Sequence, residues 1–167
     1  DIKQYKIISM AFRTVEKEKI IMSNLESIEE MWMEDAKIDR TDLAKESLSI
    51  SELHQKYYKI FLRERVTLLK EQRNYNAYYK TKHEYYSGKL SSDELKEYGW
   101  KPFQLLLGRS DIQLYLDGDQ DLTDRLLKLA IQKEKVEFIE SILKTINNRS
   151  FQIRAAIDFI KFCQGAV

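Results

Sequence analysis

Six basic side chains, Lys56, Lys59, Arg63, Lys70, Arg73 and Lys80, recur at intervals that place them, at about 100° per residue, within one helical arc roughly 120° wide. The arc is nearly pure in sign, whereas a face built only for solubility interleaves Glu for i,i+4 pairing. It leads into Tyr75, Tyr78, Tyr79, Tyr85 and Tyr86 and into two further cations, Lys82 and Lys89. Cations that follow phosphates beside aromatic faces that stack on bases form the combination expected for sequence-tolerant binding of single-stranded nucleic acid. Tyr75, Tyr79 and Tyr86 fall on the apolar side of the same helix and are assigned to core. That leaves Tyr78 and Tyr85 as stacking candidates, with Lys70, Arg73, Lys80, Lys82 and Lys89 as phosphate contacts. By itself a charged arc opposite an apolar one is only a solvated face; purity of sign and the adjoining tyrosines set this one apart.

Other chemistry finds little footing. His54 and His83 sit among charged neighbours with no Ser or Cys elbow nearby and read as ordinary helix-surface residues. The run Asp117-Gly118-Asp119-Gln120-Asp121 opens like a calcium loop. It then places Leu122 where Gly is needed and Lys128 where a bidentate Glu belongs, so it reads as an Asp-rich helix start. The sequence has no Gly-rich phosphate loop and no carboxylate cluster suited to a metal-dependent nuclease. We therefore expect no enzyme, no catalytic residue, no metal and no cofactor. The single cysteine, Cys163, excludes an internal disulfide and a cysteine-based metal site, and suits a reducing compartment. No apolar run approaches the roughly 20 residues of a membrane span, and the start lacks the order of a signal peptide.

The net charge of +1 conceals a block arrangement. Residues 23–51 hold eight acidic against three basic side chains, a net charge of −5, and residues 52–90 hold nine basic against four acidic, a net charge of +5. Acidic character returns over residues 91–124 and basic character after them. Acidic blocks would keep phosphate off their own surfaces and suit basic protein partners.

Positioning these residues calls for long helices. With five Gly and one Pro (Pro102) in 167 residues, the backbone has few obligatory breaks, and the fold class expected is all-α. Met22-Ser23 resembles a translation start, so residues 1–21 are expected to be an upstream or disordered extension, with a short amphipathic helix over residues 12–21 if they are native. Asn24 is a plausible N-cap for a first helix carrying Leu25, Ile28, Met31 and Trp32. Ser49-Ile50-Ser51-Glu52 has capping-box spacing and predicts a long helix from there to Ser87-Gly88, with Leu53, Tyr57, Ile60, Phe61, Leu68, Tyr75, Tyr79 and Tyr86 on its buried stripe. A short helix follows from Ser91-Ser92-Asp93-Glu94 to about Tyr98-Gly99. Residues 100–120, with Pro102, Gly108 and Gly118, are irregular, open between a loop, a turn and a short strand at Leu105 to Leu107. Leu122, Leu129, Val136 and Leu143 recur every seven residues, with Leu126, Ile139 and Ile146 alongside, and predict a helix to Ile146 that packs on another. Asn147-Asn148-Arg149-Ser150 is expected to interrupt it before a last helix from Phe151 to about Cys163. That helix is apolar nearly all round, which suggests burial between subunits through Ile153, Ile157, Phe159 and Ile160, with Leu143 and Ile146 of the preceding helix also assigned to that contact. The chain divides in this reading into residues 1–21, a helical hairpin-like nucleic-acid-binding region over 22–121, and oligomerisation helices over 122–167.

Several segments resemble the UvsY family of phage recombination mediators: Lys56-Tyr57-Tyr58-Lys59-Ile60-Phe61, Lys80-Thr81-Lys82-His83-Glu84-Tyr85-Tyr86-Ser87-Gly88, Gln132-Lys133-Glu134-Lys135-Val136-Glu137-Phe138, and Asn147-Asn148-Arg149-Ser150-Phe151-Gln152-Ile153. The resemblance runs from about Met22 to the C-terminus and rests on order and spacing together. It implies a ring-shaped homo-oligomer, a hexamer or heptamer, that binds single-stranded DNA. It further implies contact with the phage single-strand-binding protein and recombinase, and replacement of the first by the second in recombination, repair and replication, in the cytoplasm of the infected bacterial host. The family's basic motif, Lys-x-Arg before an aromatic pair, Ser and Gly, falls on Lys80 and Lys82. The second position is Lys here, which keeps charge but loses the planar fork, and residues two apart sit about 200° apart on a helix, so the two cannot share a face. The resemblance also places the ring contact in the terminal helix. A non-catalytic helical adaptor or scaffold, with its basic stripe in an acidic protein groove, is the alternative.

Overall fold

The computed structural model describes residues 25–165, all helix, turn and connecting chain with no strand among them. The expected Asn24 cap and the helix over residues 12–21 lie outside the described residues. Five helices follow in order: α1 over residues 25–35, α2 (Leu43–Tyr86), α3 (Ser92–Tyr98), α4 (Arg109–Asp117) and α5 (Gln120–Cys163). Neither α2 nor α5, each of 44 residues, contains Gly or Pro. Both helices contribute to two compact units, Asp1–Arg65 with Glu134–Val167 and Val66–Lys133.

In the first unit, Ile28 of α1, Tyr57 of α2 and Ile139, Ile142, Leu143 and Ile146 of α5 form the core, with Trp32, Leu53, Ile60 and Phe61 packed on it. Each such aliphatic residue removed from water stabilises by about 1.5–3 kcal/mol. Tyr57 is fully buried and donates its hydroxyl to Asp35 Oδ2 at 3.0 Å, while Trp32 meets its ring edge-on at 5.4 Å. Burial, with the Asp35 carboxylate beside it, pushes the Tyr57 phenol well above its ordinary range. Arg149 fastens the end of α1: Nη1 donates to the carbonyl of Asp35 at 2.9 Å, and Nη2 to that of Lys37 at 2.7 Å and to Glu46 Oε2 at 2.7 Å. The Asp35 carbonyl is among the groups a helix end leaves without an internal partner, and the guanidinium fork supplies one.

Two boundaries differ from expectation. α2 begins at Leu43 rather than near Ser49, because Asp42 caps it, accepting from the Lys45 N–H at 3.0 Å; Ser49 instead donates to the Glu46 carbonyl from inside the helix. α5 runs through Asn147-Asn148-Arg149-Ser150 without a break. Two Asn residues cost only about 0.6 kcal/mol each relative to Ala, and Ile146, Arg149 and Ile153, all buried on one face, hold the helix to its neighbours.

In the second unit, α3 carries the expected start and stop: Ser91 and Glu94 close a capping box, and Gly99 takes φ +68° so that the Trp100 N–H reaches the Leu95 carbonyl. Gly88 does the same for α2 at φ +66°, with the Lys89 N–H on the Glu84 carbonyl at 2.9 Å. Residues 100–107 are irregular chain without strand pairing, and residues 109–117, left open by the sequence, are helix α4. α4 buries Leu116 and half-buries Ile112. Leu122 and Leu129 of α5 are buried as expected, whereas Leu126 is half-exposed.

Candidate nucleic-acid interface

Within the second unit, Lys70, Arg73 and Lys80 of α2 all lie on its exposed face. Lys70 and Arg73 make no ion pair among the described residues, and Lys80 reaches only Glu84, at 3.7 Å on the surface. An exposed i,i+4 pair of that kind contributes a few tenths of a kcal/mol and yields readily to a phosphate. In the first unit Lys56 is paired with Asp35, and Lys59 is exposed.

Lys82 is placed otherwise. Only 7% exposed, it donates to Asp119 Oδ2 at 2.8 Å and Asp121 Oδ2 at 3.0 Å, with Nζ 4.6 Å from the Trp100 ring centroid. Asp119 also caps α5 through the Leu122 N–H at 3.0 Å and accepts the Tyr86 hydroxyl at 2.7 Å. Burial alone would lower the Lys82 pKa; the two carboxylates outweigh it and hold the ammonium above its ordinary range. Asp119 responds in the opposite sense, since burial would raise it but Lys82, Tyr86 and the Leu122 N–H together keep it below the usual carboxylate range. The Tyr86 phenol is pushed up to about 12, by burial first and then by Asp119. A cation so enclosed fastens α2 to the start of α5 and presents no charge to a strand outside.

The stacking candidates are also engaged. The Tyr78 hydroxyl donates to Asp121 at 3.1 Å, and the Arg125 guanidinium lies 3.9 Å from its ring centroid. Burial is the main cause of its raised pKa. Tyr85 packs on Trp100 at 5.0 Å, Tyr86 at 5.1 Å and Phe103 at 5.6 Å. Lys89 stands beyond the end of α2, exposed on the rim of a cavity. Of the phosphate candidates, the fold thus brings Lys70, Arg73 and Lys80 onto one open face and separates Lys82 and Lys89 from it.

The role of Asp119 and Asp121 was missed by treating their run only as a helix start. One available signal was that Lys82, four residues from both Tyr78 and Tyr86, falls at about 100° per residue on the apolar arc. A cation there needs a buried anion, and this acidic run is a ready source.

On α5, Leu143, Ile146 and Ile153 are buried within the first unit. Ile157 is half-buried, while Ile160 and Phe159 are exposed, as are Phe151 and Phe162. Phe159 and Ile160 border a cavity of about 570 Å³ whose other walls include Ile38, Leu43 and Ala156. Among the described residues no cluster of His, Cys, Asp and Glu is arranged to hold a metal, and no helix is long and apolar enough to cross a membrane.

Residues 31–166 match the family described as recombination, repair and ssDNA binding protein UvsY. The chain belongs to the UvsY family. The match takes in all of α2 to α5, and so both the exposed basic face and the enclosed Lys82. Crystal structures of the bacteriophage T4 recombination mediator protein UvsY share the fold. One superposes with a TM-score of 0.73 at 22% identity, covering 83% of this chain and 98% of that one. A second lattice form gives 0.72 at 22% identity, covering 82% and 95%. No curated protein sequence matches the chain.

Proposed function

We propose that this UvsY-family chain is a non-catalytic recombination mediator that binds single-stranded DNA through the exposed face of α2 and acts as a homo-oligomer. The observation that carries the reading is the open, single-sign group Lys70, Arg73 and Lys80, whose charges no buried anion claims. Three cations on one helix give a modest, salt-sensitive affinity, and copies assembled side by side multiply it by avidity. The exposed Phe159, Ile160 and Phe162 at the end of α5 are the natural surface for that assembly, since apolar side chains so placed are shielded by another copy. A strand bent around several such faces becomes a poorer ligand for a resident single-strand-binding protein and a better one for an incoming recombinase, so exchange proceeds without hydrolysis. Recombination and repair in a phage-infected host follow from that role.

A labelled oligonucleotide titrated at several salt concentrations tests this. Replacing Lys70, Arg73 and Lys80 together with Ala is expected to reduce the slope of log K against log salt by about 2, at roughly 0.7 for each single-strand phosphate contact. Wild-type protein indifferent to the oligonucleotide at low salt, or a variant with the wild-type slope, would reject the reading.

A further inference from the structure

The irregular chain before α4 and the end of α2 together wall a cavity of about 640 Å³ in the second unit. Lys89 and Arg109 supply its cations, with His83, Ser87 and Gln104 also polar, Leu105 and Leu106 supply much of its apolar lining, and no Asp or Glu lines it. Lys89 and Arg109 are exposed and make no ion pair among the described residues. The carboxylate near Arg109 on its own helix is Asp111, in the first turn. Leu105 and Leu106 are strongly exposed, on a segment that Pro102 and Gly108 keep out of the flanking helices.

A base would need an open aromatic face, but Phe103 and Tyr86 are packed on each other at 5.1 Å, and Phe103 also on Tyr115 at 5.5 Å. What remains open is aliphatic carbon rimmed by cations. That chemistry fits a peptide carrying acidic and apolar side chains together. Between Lys101 and Leu107 no main-chain group bonds another among the described residues, which leaves their N–H and C=O groups open to a docked chain. We propose that this cavity docks an extended acidic segment of a partner protein, with its carboxylates on Lys89 and Arg109 and its apolar side chains against Leu105 and Leu106.

A randomised peptide library selected on the full chain, followed by anisotropy titration of the recovered peptides, tests the proposal. Recovered sequences are expected to join Asp or Glu with Leu, Ile or Phe. They should bind Arg109→Glu/Leu106→Asp at least about tenfold more weakly at near-physiological ionic strength, where screening confines the change to the cavity. Both positions are exposed, so circular dichroism should be unchanged; were the double variant misfolded, Arg109→Gln alone is expected to weaken binding severalfold. Oligonucleotide affinity is expected to stay within about twofold, because neither residue belongs to the proposed DNA face. Peptides without acidic residues, or peptides that bind the variants as tightly as wild type, would overturn the proposal. So would a folded variant that loses the oligonucleotide and keeps the peptides, which would assign the cavity to nucleic acid.

Discussion

Lys82→Met should cost stability and leave the salt dependence of DNA binding alone. The ammonium is nearly fully enclosed and bonded to both Asp119 and Asp121. Removing one partner of a buried pair costs about 3–5 kcal/mol, mostly because the other charge is left without compensation. Asp121 is more than half exposed and is rehydrated at little cost, so the penalty falls on Asp119. Asp119 keeps the Tyr86 hydroxyl and the Leu122 N–H, which sets the expected loss at the lower end, about 3 kcal/mol. Adding Asp119→Asn, which retains an acceptor for both remaining donors, should restore about 1–2 kcal/mol of it. Urea denaturation of the single and double variants measures both numbers, and oligonucleotide titration at several salt concentrations measures the slope. A loss below about 1 kcal/mol together with a slope reduced by about 0.7 would refute the reasoning and make Lys82 a phosphate contact.

The same cluster sets a pH window. Asp119 titrates below its unfolded value of about 3.9, so its contribution is present above that pH and lost as acid protonates it in the fold, whereas Lys82 titrates above about 10.4 and holds its contribution until strongly alkaline pH. Acid denaturation followed by circular dichroism should show a smaller loss below about pH 4 for Asp119→Asn than for wild type. Arg149→Lys keeps charge but not the fork that spans Asp35, Lys37 and Glu46; a loss of about 2 kcal/mol in urea is expected, and an unchanged midpoint would show that the clamp contributes nothing. Asn148→Ala should stabilise by roughly 0.5 kcal/mol and Asn148→Pro destabilise by about 3 or more, since the position is an exposed helix interior; a tolerated Pro would restore a break there. Phe159→Asp/Ile160→Asp should lower the sedimenting mass while helicity persists, and a constant mass would move assembly elsewhere.

Much of the fold was legible because its signals are local. The Ser91 capping box and the Gly99 stop bound α3 as expected, and the apolar stripe from Leu53 to Tyr86 is at least partly buried throughout. The exposed cations Lys70, Arg73 and Lys80 were legible for the same reason. A pattern built from apolar residues passes over a polar residue at a core position. Lys82 is one such case, and Glu64, on the same arc, is another; it is buried and pairs with Lys135 of α5 at 3.5 Å.

The continuity of α5 through Asn147-Asn148-Arg149-Ser150 shows what that oversight costs. Reading Leu122, Leu129, Val136 and Leu143 as one heptad series, with Leu126, Ile139 and Ile146 alongside, passes over the polar members of two companion series buried in the structure: Gln132, Ile139, Ile146 and Ile153, and Lys135, Ile142 and Arg149. Leu126 belongs to neither and is half-exposed. The series ending in Ile153 steps by seven across the polar tetrapeptide without a change of phase, which a helix break would not preserve. Arg149 keeps the third series in step and turns a cation inward because Glu46 and the carbonyls ending α1 await it. Ile153 is thereby held in the first unit's interior, while Phe151, Phe159 and Phe162 on the same stretch of α5 stay exposed.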